Sequence, residues 1–283
     1  MANPYPESVR GVKGGRSAAG YDAAVAIYVV ADLHGASDEL SKSVPEGATL
    51  LLLGDLINFI DYNSMTGILT EVFTVEAVRE VVRLRTSGRL SEAGLVMKQR
   101  SAGREEEVRR EIGGRVKEEY RRVFEALPDP TWMILGNVDN PTYARELVAA
   151  TPAVEEPDGR VVTIEEEHFA FMRGALPSPL NVAGEISEEA MRAKVEGLGE
   201  ADVVCSHIPP AVPELCYDTR AERSERGSEE LLRYIEDVQP RRAYFGHVHQ
   251  PLLSSLHIGA TLCINVGYFR ATHRAWPHRR DDD

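Results

Sequence analysis

Leu50-Leu51-Leu52-Leu53-Gly54-Asp55 is an apolar run that stops at a glycine and a carboxylate. Four leucines preceded by the turn signal Pro45-Glu46-Gly47 read as a strand buried on both faces. A carboxylate just past such a strand lies where open α/β sheets place their ligands, outside the carboxyl ends of the strands.

The pattern recurs along the chain. Residues 24–30 run into Ala31-Asp32-Leu33-His34-Gly35, and residues 132–135 run into Gly136-Asn137-Val138-Asp139. Val203-Val204-Cys205 leads to Ser206-His207, and residues 243–245 lead to Gly246-His247-Val248-His249. Any one of these short motifs is weak, since most such matches are accidental. Five in order, each at the end of an apolar run, define a cluster of ligands at strand ends.

The rest of the chain is compatible with one large α/β domain carrying an insertion. At 283 residues and 43% apolar content it can bury a full core. Residues 1–22, rich in Gly, Ser, Ala and Arg without apolar period, predict a flexible N-terminal arm. The domain is expected over 23–270 and a charged, frayed tail over 271–283, whose His273 and His278 fall outside the strand-end pattern. Between them, residues 62–127 form a charged insertion with apolar residues at Val75, Val78, Val82 and then Val108, Ile112, Val116, Tyr120 and Phe124. Steps of three and four predict a helical pair, either packed by one narrow edge on the domain or serving as a cap on the substrate pocket. Ser187 and Ser228 are placed to cap two later helices, and residues 160–172 read as two strands with His168 between them.

Composition bounds the chemistry. No run of 18 apolar residues and no leader pattern is present, so the expectation is a cytoplasmic protein with no membrane span. Cys205, Cys216 and Cys263 have no C-x-x-C spacing, which favours core thiols over a disulfide framework or a thiolate metal site. A net charge of −13 argues against nucleic acid as partner. Bound divalent cations would offset that charge locally and admit a small phosphorylated substrate.

Asp32, His34, Asp55, Asn137, His207, His247 and His249 make seven candidate metal donors, too many for one ion with an open position. They suit two. Imidazole and carboxylate without thiolate fit two divalent transition metal ions, Mn, Fe, Zn, Ni or Co, better than a calcium or magnesium cage. One carboxylate must bridge ions ~3.5–4 Å apart, and Asp55 beside Gly54 is the natural choice. Such a pair turns a shared water into hydroxide and steadies both oxygens of an in-line displacement, which points to phosphoryl transfer to water.

These residues resemble the five motifs of the calcineurin-like metallophosphoesterases: Asp32-x-His34, Gly54-Asp55, Gly136-Asn137-x-Asp139, His207 and Gly246-His247-x-His249, in order. Ser206-His207-Ile208-Pro209-Pro210, Gly227-Ser228 and Gly246-His247-Val248-His249-Gln250 look closest to small prokaryotic phosphoesterases of the Icc-like, class III phosphodiesterase type. The resemblance implies a four-layer α/β/β/α sandwich of two facing mixed sheets. It implies one metal on Asp32, His34, Asp55 and His249, and another on Asp55, Asn137, His207 and His247. Many members have Gly-Asn-His-Asp, with the histidine on phosphate as a proton donor. Val138 stands there in this chain. Loss of a general acid typically costs ~10²–10⁴ in rate, and the change weakens a monoesterase reading more than a diesterase one.

The expected function is therefore hydrolysis of a phosphodiester such as a cyclic nucleotide or another small organic phosphate, with hydroxide held at Asp55 between the metals. Asn137 also faces substrate, and Asp139 is expected behind the ligands, orienting Asn137 or a metal water. Tyr217, Asp218 and Arg220 are candidate rim residues, with Arg220 able to pair with phosphate. Two alternatives stand beside it: a phosphomonoesterase or pyrophosphohydrolase, and a non-catalytic scaffold of the same fold, which the full set of seven donors argues against.

Overall fold

The structure, a computed structural model, describes residues 27–62, 64–178 and 182–280; the expected N-terminal arm lies outside the described residues. In chain order, β1 (Ile27–Val30) leads through a 3₁₀ turn (Ser37–Glu39) and α1 (Leu40–Ser43) to β2 (Thr49–Leu53). Four helices follow: α2 (Ile68–Val72), α3 (Val75–Thr86), α4 (Leu90–Ser101) and α5 (Glu105–Ala126). Then come β3 (Thr131–Ile134), α6 (Pro141–Ala150), β4 (Val154–Glu155), β5 (Arg160–Ile164), β6 (Glu167–Met172), α7 (Glu188–Glu196) and β7 (Val203–Ser206). The last third holds α8 (Pro213–Cys216), β8 (Tyr217–Asp218), β9 (Arg223–Ser224), α9 (Glu229–Val238) and β10 (Arg242–Phe245). It closes with β11 (Ser255–Ile258), β12 (Thr261–Asn265), α10 (Phe269–Thr272) and β13 (Trp276–Pro277).

Two mixed sheets result. The first has order β13-β1-β2-β3-β4, with β1 to β4 parallel and β13 antiparallel at the edge. The second has order β11-β12-β10-β7-β6-β5, parallel through β12, β10, β7 and β6, with antiparallel edges. Period-two alternation decides what each strand contributes. Leu51 and Leu53 of β2 join Val29, Phe169, Phe171, Val203, Cys205 and Tyr244 in the core between the sheets. Leu50 and Leu52 point the other way and meet Tyr120, Val123 and Phe124 of α5. On the far face of the second sheet, Met191, Leu231 and Ile235 of α7 and α9 cover Ala170, Val204 and Ala243. The layers are thus helix, sheet, sheet, helix, as the motifs implied. Because each central strand is buried on both faces, the leucine run carries no polar alternation.

Ser187 and Ser228 cap α7 and α9 as read, each accepting from the backbone three residues on. His168 lies within β6, not between strands, and its exposed ring meets Asp202. All three cysteines are free and buried. Among the described residues no helix is long and apolar enough to cross a membrane.

Two expectations need correction. The insertion is four helices rather than a pair: α4 escaped notice because it buries only Ala93, and Val75 is 37% exposed. α5 packs one face on the main core, through Val116, Tyr120, Val123 and Phe124, and turns its charged positions to solvent. The tail does not fray. β13 pairs with β1, Tyr28 opposite Pro277 and Val29 opposite Trp276, and His278 N donates to Ile27 O at 2.9 Å. His278 is 5% exposed; its Nε2 lies 3.0 Å from Glu167 Oε2 and its Nδ1 3.0 Å from Tyr244 Oη. A carboxylate only accepts, so Nε2 carries the proton and the tyrosine hydroxyl donates to Nδ1. Glu167 is also held by Arg241 and Arg280. This polar knot ties the first sheet to the second, joining the segment after β13 to the first residue of β6 and to Tyr244 of β10. A charged-looking segment was read as tail because pairing to a distant strand leaves no local periodicity.

His278→Ala therefore removes one of the hydrogen bonds of the buried Tyr244 hydroxyl and one of those of the buried Glu167 carboxylate, and is expected to cost about 1–3 kcal/mol in urea unfolding. His273→Ala, at a half-exposed side chain, is expected to leave the midpoint in place; equal small effects would show that the tail is not clamped.

Candidate metal centre

The chemistry-bearing residues lie on the loops at the carboxyl ends of β1, β2, β3, β7 and β10. The loops are stitched to one another. Asp32 N donates to Gly54 O at 3.1 Å, His34 N to Asp55 O at 2.8 Å and Gly246 N to His207 O at 3.0 Å. His247 N donates to Asp32 Oδ2 at 2.8 Å, which joins the two sheets across the site. Asp32, His34, Asp55 and His247 all have positive φ, between 41° and 67°. Non-glycine residues held in that region cluster at functional sites, where surrounding contacts over-determine them. Two glycines allow the close approach: a Cβ on Gly136 would collide with Asp55 Oδ1, and one on Gly246 with Ala31 and the Asp32 carboxylate.

All seven expected donors converge. Ligand atoms of Asp32, His34 and His249 lie within 4.8 Å of one another, as do those of Asp32, Asp55 and His207. Asp55 faces both ways, with Oδ2 3.6 Å from His34 Nε2 and Oδ1 3.5 Å from His207 Nε2. Asn137 Oδ1 lies 3.0 Å from His207 Nε2 and 3.0 Å from His247 Nδ1. The other ring nitrogens are fixed by carbonyls: His34 Nδ1 by Ile57 O at 3.2 Å, His207 Nδ1 by Leu53 O at 2.8 Å. With Nδ1–H donating to a carbonyl, each ring turns an unprotonated Nε2 toward the centre, as ligating histidines require.

Electrostatics asks for cations. Burial pushes the Asp32 carboxyl well above its ordinary range, helped by Asp55. Burial lifts Asp55 to about 7, and burial together with Asp55 lifts Asp139 to about 6. Burial lowers His207 and His249 to about 4 and holds His34 and His247 well below the usual imidazole range. Neutral imidazoles beside carboxylates that resist charging form a donor set that a divalent cation would stabilise. Asp32 Oδ1 and His34 Nε2 are buried with no hydrogen-bond partner among the described residues, which native interiors rarely tolerate. The donor set therefore fits divalent metal.

Asp139 lies behind the candidate ligands. Its carboxylate accepts from Asp55 N at 2.9 Å, Leu56 N at 2.9 Å, Gly136 N at 2.8 Å and Tyr120 Oη at 3.2 Å. It ties the β2 and β3 loops together instead of orienting the Asn137 side chain. Asp218 is likewise not a solvated rim residue: it is 7% exposed and accepts from Arg220 N, Ala221 N and Gln250 N. Arg220 is exposed beside this turn, close enough to help lower His249.

Three contributors were not read from the sequence. Tyr268 stacks on His249, with ring centroids 4.0 Å apart and planes at 3°, and meets His34 edge-on. Arg270 Nη1 donates to His34 O at 2.6 Å. Asn265 Nδ2 donates to Val248 O at 2.9 Å and Gly246 O at 3.3 Å, bracing the last motif. The signal was present in Ile264-Asn265-Val266-Gly267-Tyr268, a sixth strand end of the same grammar that had been read only as a turn.

With this geometry in view, the chain matches the Calcineurin-like phosphoesterase family model over residues 25–251. It belongs to that family, whose members hydrolyse phosphoric esters with divalent metals. No curated protein matches it in sequence. One solved structure superposes with a TM-score of 0.53 at 15% identity, covering 90% of this chain and 98% of its own, which speaks to the fold alone. A protein from Staphylococcus aureus, provisionally described as a 5′-nucleotidase and solved in complex with alpha-ketoglutarate, gives a TM-score of 0.41 at 10% identity; the match covers 85% of this chain and 48% of that one.

Metal added at 100 times its dissociation constant is expected to raise stability by about 2.7 kcal/mol, seen as a rise in melting temperature of metal-stripped protein. Asp55→Asn is expected to abolish that rise and lower metal content in elemental analysis. The variant fold should survive without metal, because a neutral amide replaces a buried carboxylate and can keep the bond from Val138 N at 3.1 Å. A full metal-dependent rise in the variant would remove Asp55 from the ligand set.

Proposed function

We propose that this protein is a metal-dependent phosphodiesterase acting on a small organic phosphodiester, a cyclic nucleotide or a related ester, at a binuclear centre. The observation that carries the reading is the convergence of seven donors around Asp55, with Asp32 Oδ1 and His34 Nε2 left bare. Ions bound there would acidify water and place positive charge against the phosphate oxygens. The intact donor set argues against a scaffold that has lost its chemistry. We place the enzyme in the cytoplasm, since three free, buried cysteines suit a reducing compartment.

The chain's own residues divide the work. Asp55 offers one oxygen to each half of the site, and Asn137 and His207 flank it on one side while Asp32, His34 and His249 flank it on the other. Val138 gives its backbone N–H to Asp55 Oδ1 and has no proton to offer a departing oxygen. Monoester hydrolysis runs through a loose transition state that builds charge on that oxygen, so it suffers most from the missing acid. A diester with a tighter transition state is less dependent on it.

Metal-stripped protein titrated with Mn²⁺ should hydrolyse bis-p-nitrophenyl phosphate faster than p-nitrophenyl phosphate; the reverse preference would favour a monoesterase, and no turnover with two ions bound would remove the enzymatic reading. Val138→His should raise kcat for esters with poor leaving groups by ~10-fold or more and change nitrophenyl esters little. An equal effect on both would show that Val138 does not limit proton transfer.

A further inference from the structure

Three of the four imidazoles at the centre are oriented through a ring nitrogen: His34 by Ile57 O, His207 by Leu53 O and His247 by Asn137 Oδ1. His249 is the exception. Among the described residues neither of its ring nitrogens takes part in a hydrogen bond, and what fixes its plane is packing against other rings. Tyr268 lies flat on it, with centroids 4.0 Å apart and planes at 3°, and His34 meets it edge-on at 5.2 Å. A ligating imidazole ordinarily donates its second ring N–H to an acceptor that holds the ring in place. For His249 a stacked ring takes that part.

Tyr268 is itself clamped on both sides along the chain. Three residues before it, Asn265 donates to Val248 O and Gly246 O, in the loop that carries His249. Just after it, Phe269 N donates to Ala31 O at 3.2 Å and Arg270 N to Asp32 O at 3.3 Å, while the buried Phe269 ring joins the core and Arg270 Nη1 reaches His34 O. These bonds all end on the loops that carry Asp32, His34 and His249. Among the described residues, no hydrogen bond, ion pair or ring contact joins residues 265–272 to Asn137, His207 or His247. The stretch also lies beyond residues 25–251, which the family model matches.

We propose that Tyr268 is the positioning residue of His249, and that through it the stretch after β12 sets the affinity for one ion, the one Asp32, His34 and His249 would hold, and not for the other. The inference rests on the metal-centre reading and on no choice of substrate. Tyr268 is half-buried and belongs to none of the apolar clusters between the layers, so core packing does not account for its orientation. Its hydroxyl has no hydrogen bond among the described residues, which leaves the flat ring, not the phenol, as the part that acts.

Calorimetric titration of the metal-stripped full chain with Co²⁺ tests this. Wild type and Tyr268→Phe, the conservative variant that keeps the ring, are expected to bind two ions with matching affinities. Tyr268→Leu is expected to weaken one binding step by about tenfold or more and leave the other in place, the loss typical when a group orienting a ligating histidine is removed. The visible absorption of the Co²⁺-loaded protein should change in Tyr268→Leu and be restored in Tyr268→Phe. In a His249→Ala background Tyr268→Leu should weaken binding no further, because the two rings act as one unit. Equal weakening of both steps, an additive loss in the double variant, or a loss in Tyr268→Phe matching that in Tyr268→Leu overturns the proposal. Unchanged affinities in Tyr268→Leu overturn it and leave the metal centre standing, whereas a wild type that binds no Co²⁺ removes both. Where Tyr268→Leu lowers the melting temperature of the stripped protein, Tyr268→Met repeats the test with another side chain that lacks a flat ring.

Discussion

Three carboxylates, Asp32, Asp55 and Asp139, are buried at 0%, 3% and 0% exposure at one pole of the molecule. Taking even one charge out of water is costly, and three like charges in a low-dielectric interior cannot all ionise without compensation. The structure answers the three in two ways. Asp139 receives four hydrogen bonds from the protein itself. Asp32 and Asp55 receive few, and face a ring of imidazoles that burial keeps neutral. Neutral histidines cannot cancel negative charge, so these two either hold protons or are balanced by a cation, and the divalent metals the family uses would serve as that cation.

Everything around the centre serves to hold that unfavourable arrangement. Four of its residues occupy left-handed backbone conformations, each worth of order 1–3 kcal/mol of strain. The cross-loop bonds from Asp32 N, His34 N, His247 N and Gly246 N offset this by leaving no alternative path for the chain. The two-sheet core beneath is closed at the opposite pole by the Glu167–His278–Tyr244 knot, so the sheets carrying the two halves of the donor set cannot slide apart freely.

The site was more legible in the sequence than the scaffold that supports it. Apolar runs ending in Gly-Asp, Asp-x-His or Gly-His-x-His mark strand ends because parallel strands must be apolar on both faces and must stop where ligands begin. Such information is local. What escaped was non-local: Asp139 reads as a group orienting Asn137 or a metal water until its backbone partners in the loop after β2 are seen, and His278 reads as tail until β1 and Glu167 are beside it. Tyr268 fell between the two cases, since its strand-end setting was visible but its stacking on His249 was not. In α4 the failure has another cause: a helix that buries one alanine leaves almost no periodic signature.

The insertion is where scaffold and site meet. Tyr120 of α5 donates to Asp139 and accepts from Asn140 N at 2.6 Å, so one phenol connects the helix to both the carboxylate that fixes Asp55 and the loop that carries Asn137. One residue earlier, Glu119 grips Asn58 N in the loop after β2 and fills the space that Gly35 leaves open. A shift of α5 would therefore move the supports of both loops together. Glu119 and Tyr120 couple the packing of the helix to the loops that carry the candidate ligands, whereas Gly114, exposed and with open space around its Cβ position, carries no such link.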